Sequence, residues 1–147
     1  MKIIIGGAGA VGTHLAELLS SEKQDIILMD ENKDRLSSMD SNFDLMTVCA
    51  SPTSIQGLKN SGVGDADLFI AVMPEESRNM TACMLARNLG AKKTVARIDN
   101  YEYLLPKHKE FFAQVGINSL IYPEMLAAKD IADAIKTSRV RQWCELY

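Results

Sequence analysis

The sequence lacks the features that mark disulfide-stabilised, zinc-binding and membrane-spanning proteins. Its 147 residues include three cysteines, an odd number with no Cys-x-x-Cys spacing, which argues against a disulfide framework or a zinc site. No stretch approaches the roughly 20 apolar residues of a membrane span, and the N-terminus has no signal-peptide pattern. The net charge of -3 provides no broad basic surface for nucleic acid. We therefore expect a cytoplasmic protein that holds no metal and binds no nucleic acid.

Recognisable catalytic groups are also missing. His14 and His108 have no companion residues that indicate a dyad, a triad or a metal site. No Walker lysine, nucleophile elbow or paired-carboxylate pattern is present. We predict no catalytic residues and therefore a protein that is not an enzyme.

Short apolar runs alternate with longer segments of helical periodicity along the chain. The predicted strands are residues 2–5, 25–29, 45–48, 67–72, 94–98 and 119–122. The predicted helices are residues 11–20, 33–39, 53–60, 75–89, 101–115 and 123–136. Repeated alternation of strand and helix predicts a parallel sheet with right-handed crossovers. The expected fold class is α/β, a Rossmann-like doubly wound parallel sheet in a single domain.

A glycine-rich turn follows the first predicted strand and opens the first predicted helix. It consists of Gly7, Ala8, Gly9, Ala10, Val11 and Gly12. In a dinucleotide-binding turn the first glycine permits the tight bend, the second lets a pyrophosphate approach the backbone, and the third lets helix and strand pack closely. The unpaired N–H groups and the dipole of the helix then face the phosphates. The turn therefore predicts an adenine-nucleotide site.

An acidic residue at the end of the second predicted strand supports this site. Asp30 follows Gly12 at close to the spacing of about 20 residues expected for the acid that binds the adenosine ribose. Its carboxylate would repel a 2′-phosphate, and neighbouring Glu31 would increase the repulsion. The pair favours NAD(H), or ATP and ADP, over NADP(H). Alternatively, Asp30 only caps the helix that starts near Lys33.

Three further loops should surround the same ligand, because the carboxyl ends of parallel strands meet at one edge of the sheet. Ser51 and Thr53 follow the third strand, where either could bond an adenine or ribose or could cap the next helix. Met73 and Pro74 follow the fourth strand. Arg97 closes the fifth.

Arg97 lies in an otherwise apolar run and needs an acceptor for its charged N–H groups. A phosphate or carboxylate of the ligand is one such acceptor. A salt bridge to Asp99 or Glu75 is the other.

The end of the chain reads differently from the rest. The helix predicted over 123–136 is apolar around most of its girth, so it is either deeply buried or shared with another subunit. Residues 137–147 end on Trp143, Leu146 and Tyr147 without a closing turn. We assign residues 1–136 to the nucleotide-binding domain and 137–147 to the start of a further segment.

Several segments together resemble a known family, the N-terminal nucleotide-binding (TrkA-N, or RCK) domain of TrkA-type potassium-uptake regulatory proteins. They are residues 1–5 with the glycine turn, Asp30, and residues 64–72, 75–83, 96–103 and 121–126. The resemblance covers essentially the whole chain. One departure is Ala10, where many relatives carry arginine or glutamine, so phosphate binding is left to backbone N–H groups.

The resemblance implies a cytoplasmic regulatory subunit, held at the inner face of the membrane by a potassium channel or transporter of the TrkH type. It implies a homo-oligomer in which dimers build a ring, and gating of ion flow when NAD(H), or ATP or ADP, changes the ring's shape. It places residues 7–11, Asp30, the Met73–Pro74 loop and Arg97 at the nucleotide. It also implies that a C-terminal lobe, absent here, follows the last helix.

Two alternatives remain at this point. The chain could be the cofactor-binding fragment of an NAD-dependent dehydrogenase, which would oxidise NADH with simple ketones or aldehydes. It could also be a dimerisation module that has lost its ligand.

Overall fold

A computed structural model describes residues 1–20 and 24–122, which form alternating strands and helices. The strands are β1 (Lys2–Gly6), β2 (Asp25–Asp30), β3 (Met46–Cys49), β4 (Leu68–Ala71), β5 (Lys93–Arg97) and β6 (Ser119–Ile121). The α-helices are α1 (Ala10–Ser20), α2 (Lys33–Asn42), α3 (Ile55–Asn60), α4 (Glu76–Asn88) and α5 (Lys109–Gln114). None of these helices has the length and apolar character needed to cross a membrane.

The strands form one sheet in the order β3-β2-β1-β4-β5-β6, and every neighbouring pair is parallel. Ile4 of β1 lies between Ile27 of β2 and Phe69 of β4. The strand order reverses direction between β1 and β4, which is where open α/β sheets bind ligands. The predicted fold class is confirmed, and each described strand lies within about one residue of its predicted bounds.

Both faces of the sheet are covered, because successive side chains of a strand point to opposite faces. Ile3 and Ile5 pack with Leu15 and Leu19 of α1 in one core. On the other face, Ile4 packs in a second core with residues of α3, α4 and α5, including Leu58, Ala82 and Phe112. Burial on both faces explains why β1, β2 and β4 are nearly continuously apolar rather than alternating, whereas β3 at the end of the sheet is exposed or half-buried.

The helix predicted over 101–115 is wrong in its first half. Residues Tyr101–Leu104 and Pro106–His108 form 3₁₀ turns, and only Lys109–Gln114 is α-helical. Pro106 is the reason, since a proline disfavours helical backbone at the preceding residue, and Leu105 is extended (φ -60°, ψ 133°). The predicted helix over 123–136 and the segment 137–147 lie outside the described residues.

Candidate functional site

Two glycines of the turn after β1 are required by the packing of the protein itself. Gly7 has a left-handed φ of 118°, and a Cβ there would lie 3.1 Å from the backbone nitrogen of Met73. A Cβ on Gly12 would overlap the carbonyl oxygen of Gly7 and would lie 3.3 Å from a methyl carbon of Val72. The close approach of the turn to the loop after β4 therefore depends on Gly7, and that of α1 to the turn depends on Gly12.

Gly9 differs from these two glycines. A Cβ on Gly9 would meet no atom within 4 Å, so the fold itself has no steric need for glycine at this position. Gly9 immediately precedes α1, and its carbonyl oxygen accepts from both the backbone N–H (3.0 Å) and the hydroxyl (2.8 Å) of Thr13. Gly9 thus lies, without a steric need for glycine, at the N-terminus of a helix, where unpaired N–H groups favour phosphates.

Asp30 is tied directly to the glycine turn. Its side chain is buried, with Oδ2 accepting from the N–H of Ala8 (2.8 Å) and Oδ1 from the N–H of Asn32 (2.7 Å), and Arg35 lies 3.6 Å away. Asn32 is the residue whose side chain caps α2, by accepting from the N–H of Asp34. A carboxylate has about four acceptor sites, so two N–H donors leave room for further donors.

Glu31, Ser51 and Thr53 are brought together by a residue that the sequence interpretation did not assign. The guanidinium of Arg78, in the first turn of α4, bonds both carboxylate oxygens of Glu31 (3.0 and 3.1 Å) and the hydroxyl of Ser51 (3.0 Å). The hydrogen bonds to Glu31 raise the pKa of Arg78 above its ordinary value. Ser51 also bonds Thr53 (2.8 Å), and the side chain that caps α3 is that of Ser54. Neither Ser51 nor Thr53 is therefore the helix cap.

The loops after β4 and β5 are joined by Asn79, which is fully buried. Its Oδ1 accepts from the N–H of Met73 (2.7 Å), and its Nδ2 donates to the carbonyls of Met73 (2.8 Å) and Arg97 (3.0 Å). Nε of Arg97 is buried and has no hydrogen-bond partner among residues 1–20 and 24–122. Within that part of the chain, Arg97 forms no ion pair with Asp99 or Glu75.

The residues predicted from the sequence therefore occupy one edge of the sheet, in three connected groups. The glycine turn is bonded to Asp30, Arg78 joins the loops after β2 and β3, and Asn79 joins those after β4 and β5. Met73 is buried and Pro74 beside it is exposed. The sequence pattern could have pointed to Asn79, since it is a polar residue at the helical spacing of the buried Ala82 and Ala86. Arg78 had none, because its role depends on partners distant in sequence.

A separate cavity of about 240 Å³ lies beside β6, the outermost strand on one side of the sheet. Its lining includes Tyr103, Leu105, Phe112 and Leu120. It contains none of the predicted nucleotide-binding residues, so the candidate site remains the edge formed by the carboxyl ends of the strands.

Comparison with known proteins gives a family match and a fold match. The model of the TrkA-N domain matches residues 3–123. The chain is 44% identical over 137 residues to the Trk system potassium uptake protein TrkA of Haemophilus influenzae, covering 92% of this chain but only 30% of that protein.

Two solved structures share the fold. The GsuK channel bound to NAD has a TM-score of 0.65 at 22% identity, covering 82% of this chain and 21% of that one. The GsuK structure bound to ADP has a TM-score of 0.68 at 19% identity, covering 94% of this chain and 41% of that one.

Proposed function

The chain belongs to the TrkA-N domain family, and on that premise we propose that it is the nucleotide-sensing part of a potassium-uptake system. The single observation that carries the proposal is Gly9, whose side is open although the protein's own packing does not require a glycine there. A dinucleotide site needs a glycine at this position, so that a pyrophosphate can approach the backbone. Asp30 supports the proposal, because its carboxylate is bonded to the same turn and would accept from the hydroxyls of the adenosine ribose.

The ligand that suits this edge is NAD(H), with ATP or ADP as alternatives. The N–H groups at the start of α1 would hold the phosphates, and the free acceptor capacity of Asp30 would take the ribose hydroxyls. The buried Nε of Arg97, which lacks a partner in the described part of the chain, would gain one from an anionic group of the ligand. Solved structures that share the fold carry NAD and ADP.

The proposed role of the nucleotide is regulatory. The curated relative that the chain matches at 44% identity is named for potassium uptake. We assign the chain to the cytoplasm, at the inner face of the membrane, in a ring of dimers bound to a TrkH-type channel or transporter. Nucleotides can gate such a partner only by binding one state of the ring more tightly than the other.

No catalytic residue is assigned. His14 lies exposed on α1 and His108 ends a 3₁₀ turn, and neither is among the residues that form the candidate site. A scan for NADH oxidation with simple ketones and aldehydes tests this part of the proposal. Turnover would contradict it and would favour the dehydrogenase alternative.

The regulatory role is tested by Rb⁺ uptake into vesicles that contain a TrkH-type membrane subunit, with the chain added. We expect the uptake rate to change when NADH or ADP is supplied. The Gly9→Val variant should bind the membrane subunit but leave the rate independent of nucleotide. If nucleotide is present and the uptake rate is the same with the wild-type chain, with the variant and without any added chain, the regulatory role is contradicted.

A further inference from the structure

We propose that the Glu31–Arg78 ion pair makes the site reject nucleotides that carry a 2′-phosphate, with Arg78 as the specificity-determining residue. The inference rests on the proposed adenine-nucleotide site and goes beyond it. It assigns a role to a contact between the loop after β2, which holds Glu31, and the first turn of α4, which holds Arg78.

The pair stands at the ribose end of the site. Glu31 directly follows Asp30, and the Asp30 carboxylate is held against the glycine turn by the N–H of Ala8. A 2′-phosphate on a ribose bound to Asp30 would therefore point toward the loop after β2. Arginine near this loop is what accommodates a 2′-phosphate in proteins that use NADP(H).

The guanidinium that could serve this purpose is already occupied. Both of its terminal nitrogens bond Glu31, and one of them also bonds Ser51. A phosphate would need the same forked N–H groups, since guanidinium binds carboxylate and phosphate in the same bidentate geometry. Glu31 therefore competes directly with a 2′-phosphate for Arg78.

The charges around this point also oppose a 2′-phosphate. Asp30 and Glu31 at the end of β2, and Glu75 before α4, are anionic. Among residues 1–20 and 24–122, the cations that pair with them are Arg35 of α2, 3.6 Å from Asp30, and Arg78 of α4, 3.0 Å from Glu31. Neutralising Glu31 removes the carboxylate that holds both terminal nitrogens of Arg78, while Arg78 keeps its contacts with Ser51 (3.0 Å) and Glu75 (3.9 Å).

Breaking the Glu31–Arg78 ion pair should reduce the stability of the fold only slightly. The side chains of Arg78 and Glu31 are 32% and 50% exposed, and ion pairs with that degree of exposure contribute little to folding. The Glu31→Gln substitution should therefore leave the fold intact and remove the charged, bidentate partner of Arg78. This makes the inference testable by ligand binding.

The experiment compares AMP with adenosine 2′,5′-bisphosphate, two probes that differ only in the 2′-phosphate, by calorimetric titration of the 147-residue chain. The measured quantity is the ratio of their dissociation constants, which cancels any general loss of affinity. In Glu31→Gln we expect this ratio to move at least about tenfold toward the bisphosphate, equivalent to ~1.4 kcal/mol. In the double variant with Arg78→Met the ratio should return to within a few-fold of the wild-type value.

A ratio that does not move in Glu31→Gln, although AMP still binds, would overturn the inference. A shift that persists in the double variant would also overturn it, because Arg78 would then play no part. These outcomes differ from failure of the proposed function itself, in which the wild-type chain would bind none of AMP, ADP, ATP and NADH.

Discussion

The two edges of the sheet carry polar residues of similar kinds but use them differently. At the amino edge, Asp67 accepts from the N–H of Lys2 (2.8 Å) and from the ammonium of Lys92 (3.1 Å), and the ammonium of Lys2 donates to the carbonyl of Gly62 (2.8 Å). These contacts link the start of β1 to the segment before β4, and that segment to the residue before β5. The exception there is Oε1 of Gln24, which has no partner in the described part of the chain.

At the carboxyl edge, internal pairing is combined with groups that no contact within the described part of the chain uses. Asp30, Glu31 and Asn79 have partners within the protein, whereas Nε of Arg97 has none among the described residues. Gly9 is open on the side where a side chain would stand. Polar residues alone therefore do not distinguish the two edges; the proposed site is distinguished by the open side of Gly9 and the unpartnered Nε of Arg97.

The largest effect on stability should come from a residue of the carboxyl edge that serves packing. In Gly12→Ala the new Cβ would overlap the carbonyl oxygen of Gly7, so α1 must move away from β1. We expect a loss of about 3 kcal/mol or more in the free energy of unfolding, measured in urea. The matched control is Gly9→Ala, which meets no atom within 4 Å and should change stability by less than about 1 kcal/mol. Equal losses in the two variants would show that the distinction between these glycines is wrong.

Gly9→Val should lower the affinity for NADH while leaving the protein folded. A branched side chain on the open side of Gly9 would occupy the space that the pyrophosphate needs. We expect the affinity for NADH to fall at least about 100-fold, or ~2.7 kcal/mol, in calorimetric titration of a variant that remains folded by circular dichroism. Ala113→Val, at an exposed position of α5, is the control and should bind as the wild type does. If the folded Gly9→Val variant binds NADH with normal affinity, the proposal that this turn binds the pyrophosphate is wrong.

Asp30→Ala tests a residue to which we assign two roles, hydrogen bonding within the protein and binding of the ribose. Loss of the carboxylate removes the acceptor for the ribose hydroxyls, and we expect NADH affinity to fall about tenfold, or ~1.4 kcal/mol. It also leaves the buried N–H of Ala8 without its acceptor, at a cost of about 1–3 kcal/mol in stability, while the N–H of the exposed Asn32 can bond water instead. Asp65→Ala, at an exposed position before β4, is the control. Lowered stability with unchanged NADH affinity would reduce Asp30 to a structural role.

The smallest effect is expected at the amino edge. The N–H of Lys2 and the ammonium of Lys92 lower the pKa of Asp67 below its ordinary value near 3.8. A carboxyl group whose pKa is lowered by folding stabilises the protein above its unfolded pKa, and loses that effect as pH falls through the folded pKa.

Asp67→Asn should therefore cost less than about 1 kcal/mol at pH 7, and the difference from wild type should shrink below about pH 4. Urea unfolding at pH 7, 5 and 3 measures it. Nucleotide affinity should be unchanged, and a loss of NADH binding in this variant would erase the functional distinction between the two edges.

The sheet was predictable from the sequence because β1, β2 and β4 are short, nearly continuous apolar runs that alternate with helical patterns, as strands covered on both faces require. The segment after β5 was not, because the apolar spacing of Leu104, Phe111 and Phe112 resembles a helix while Pro106 interrupts it. Among the candidate site residues, the glycine turn and Asp30 were predictable because they are close in sequence and their spacing has a physical reason. The link between Glu31 and Arg78 was not, since it joins residues 47 positions apart.

The measurement that tests the central claim most directly is thermal unfolding of the 147-residue chain with NAD⁺, NADH, NADP⁺, ATP and ADP in turn. A ligand at 100 times its dissociation constant stabilises the folded state by about 2.7 kcal/mol, which raises Tm by several degrees for a domain of this size. We predict a rise with NAD(H), or with ATP or ADP, and none with NADP⁺ at the same concentration. No rise with any of the five would contradict the claim that the carboxyl edge of this sheet is an adenine-nucleotide site.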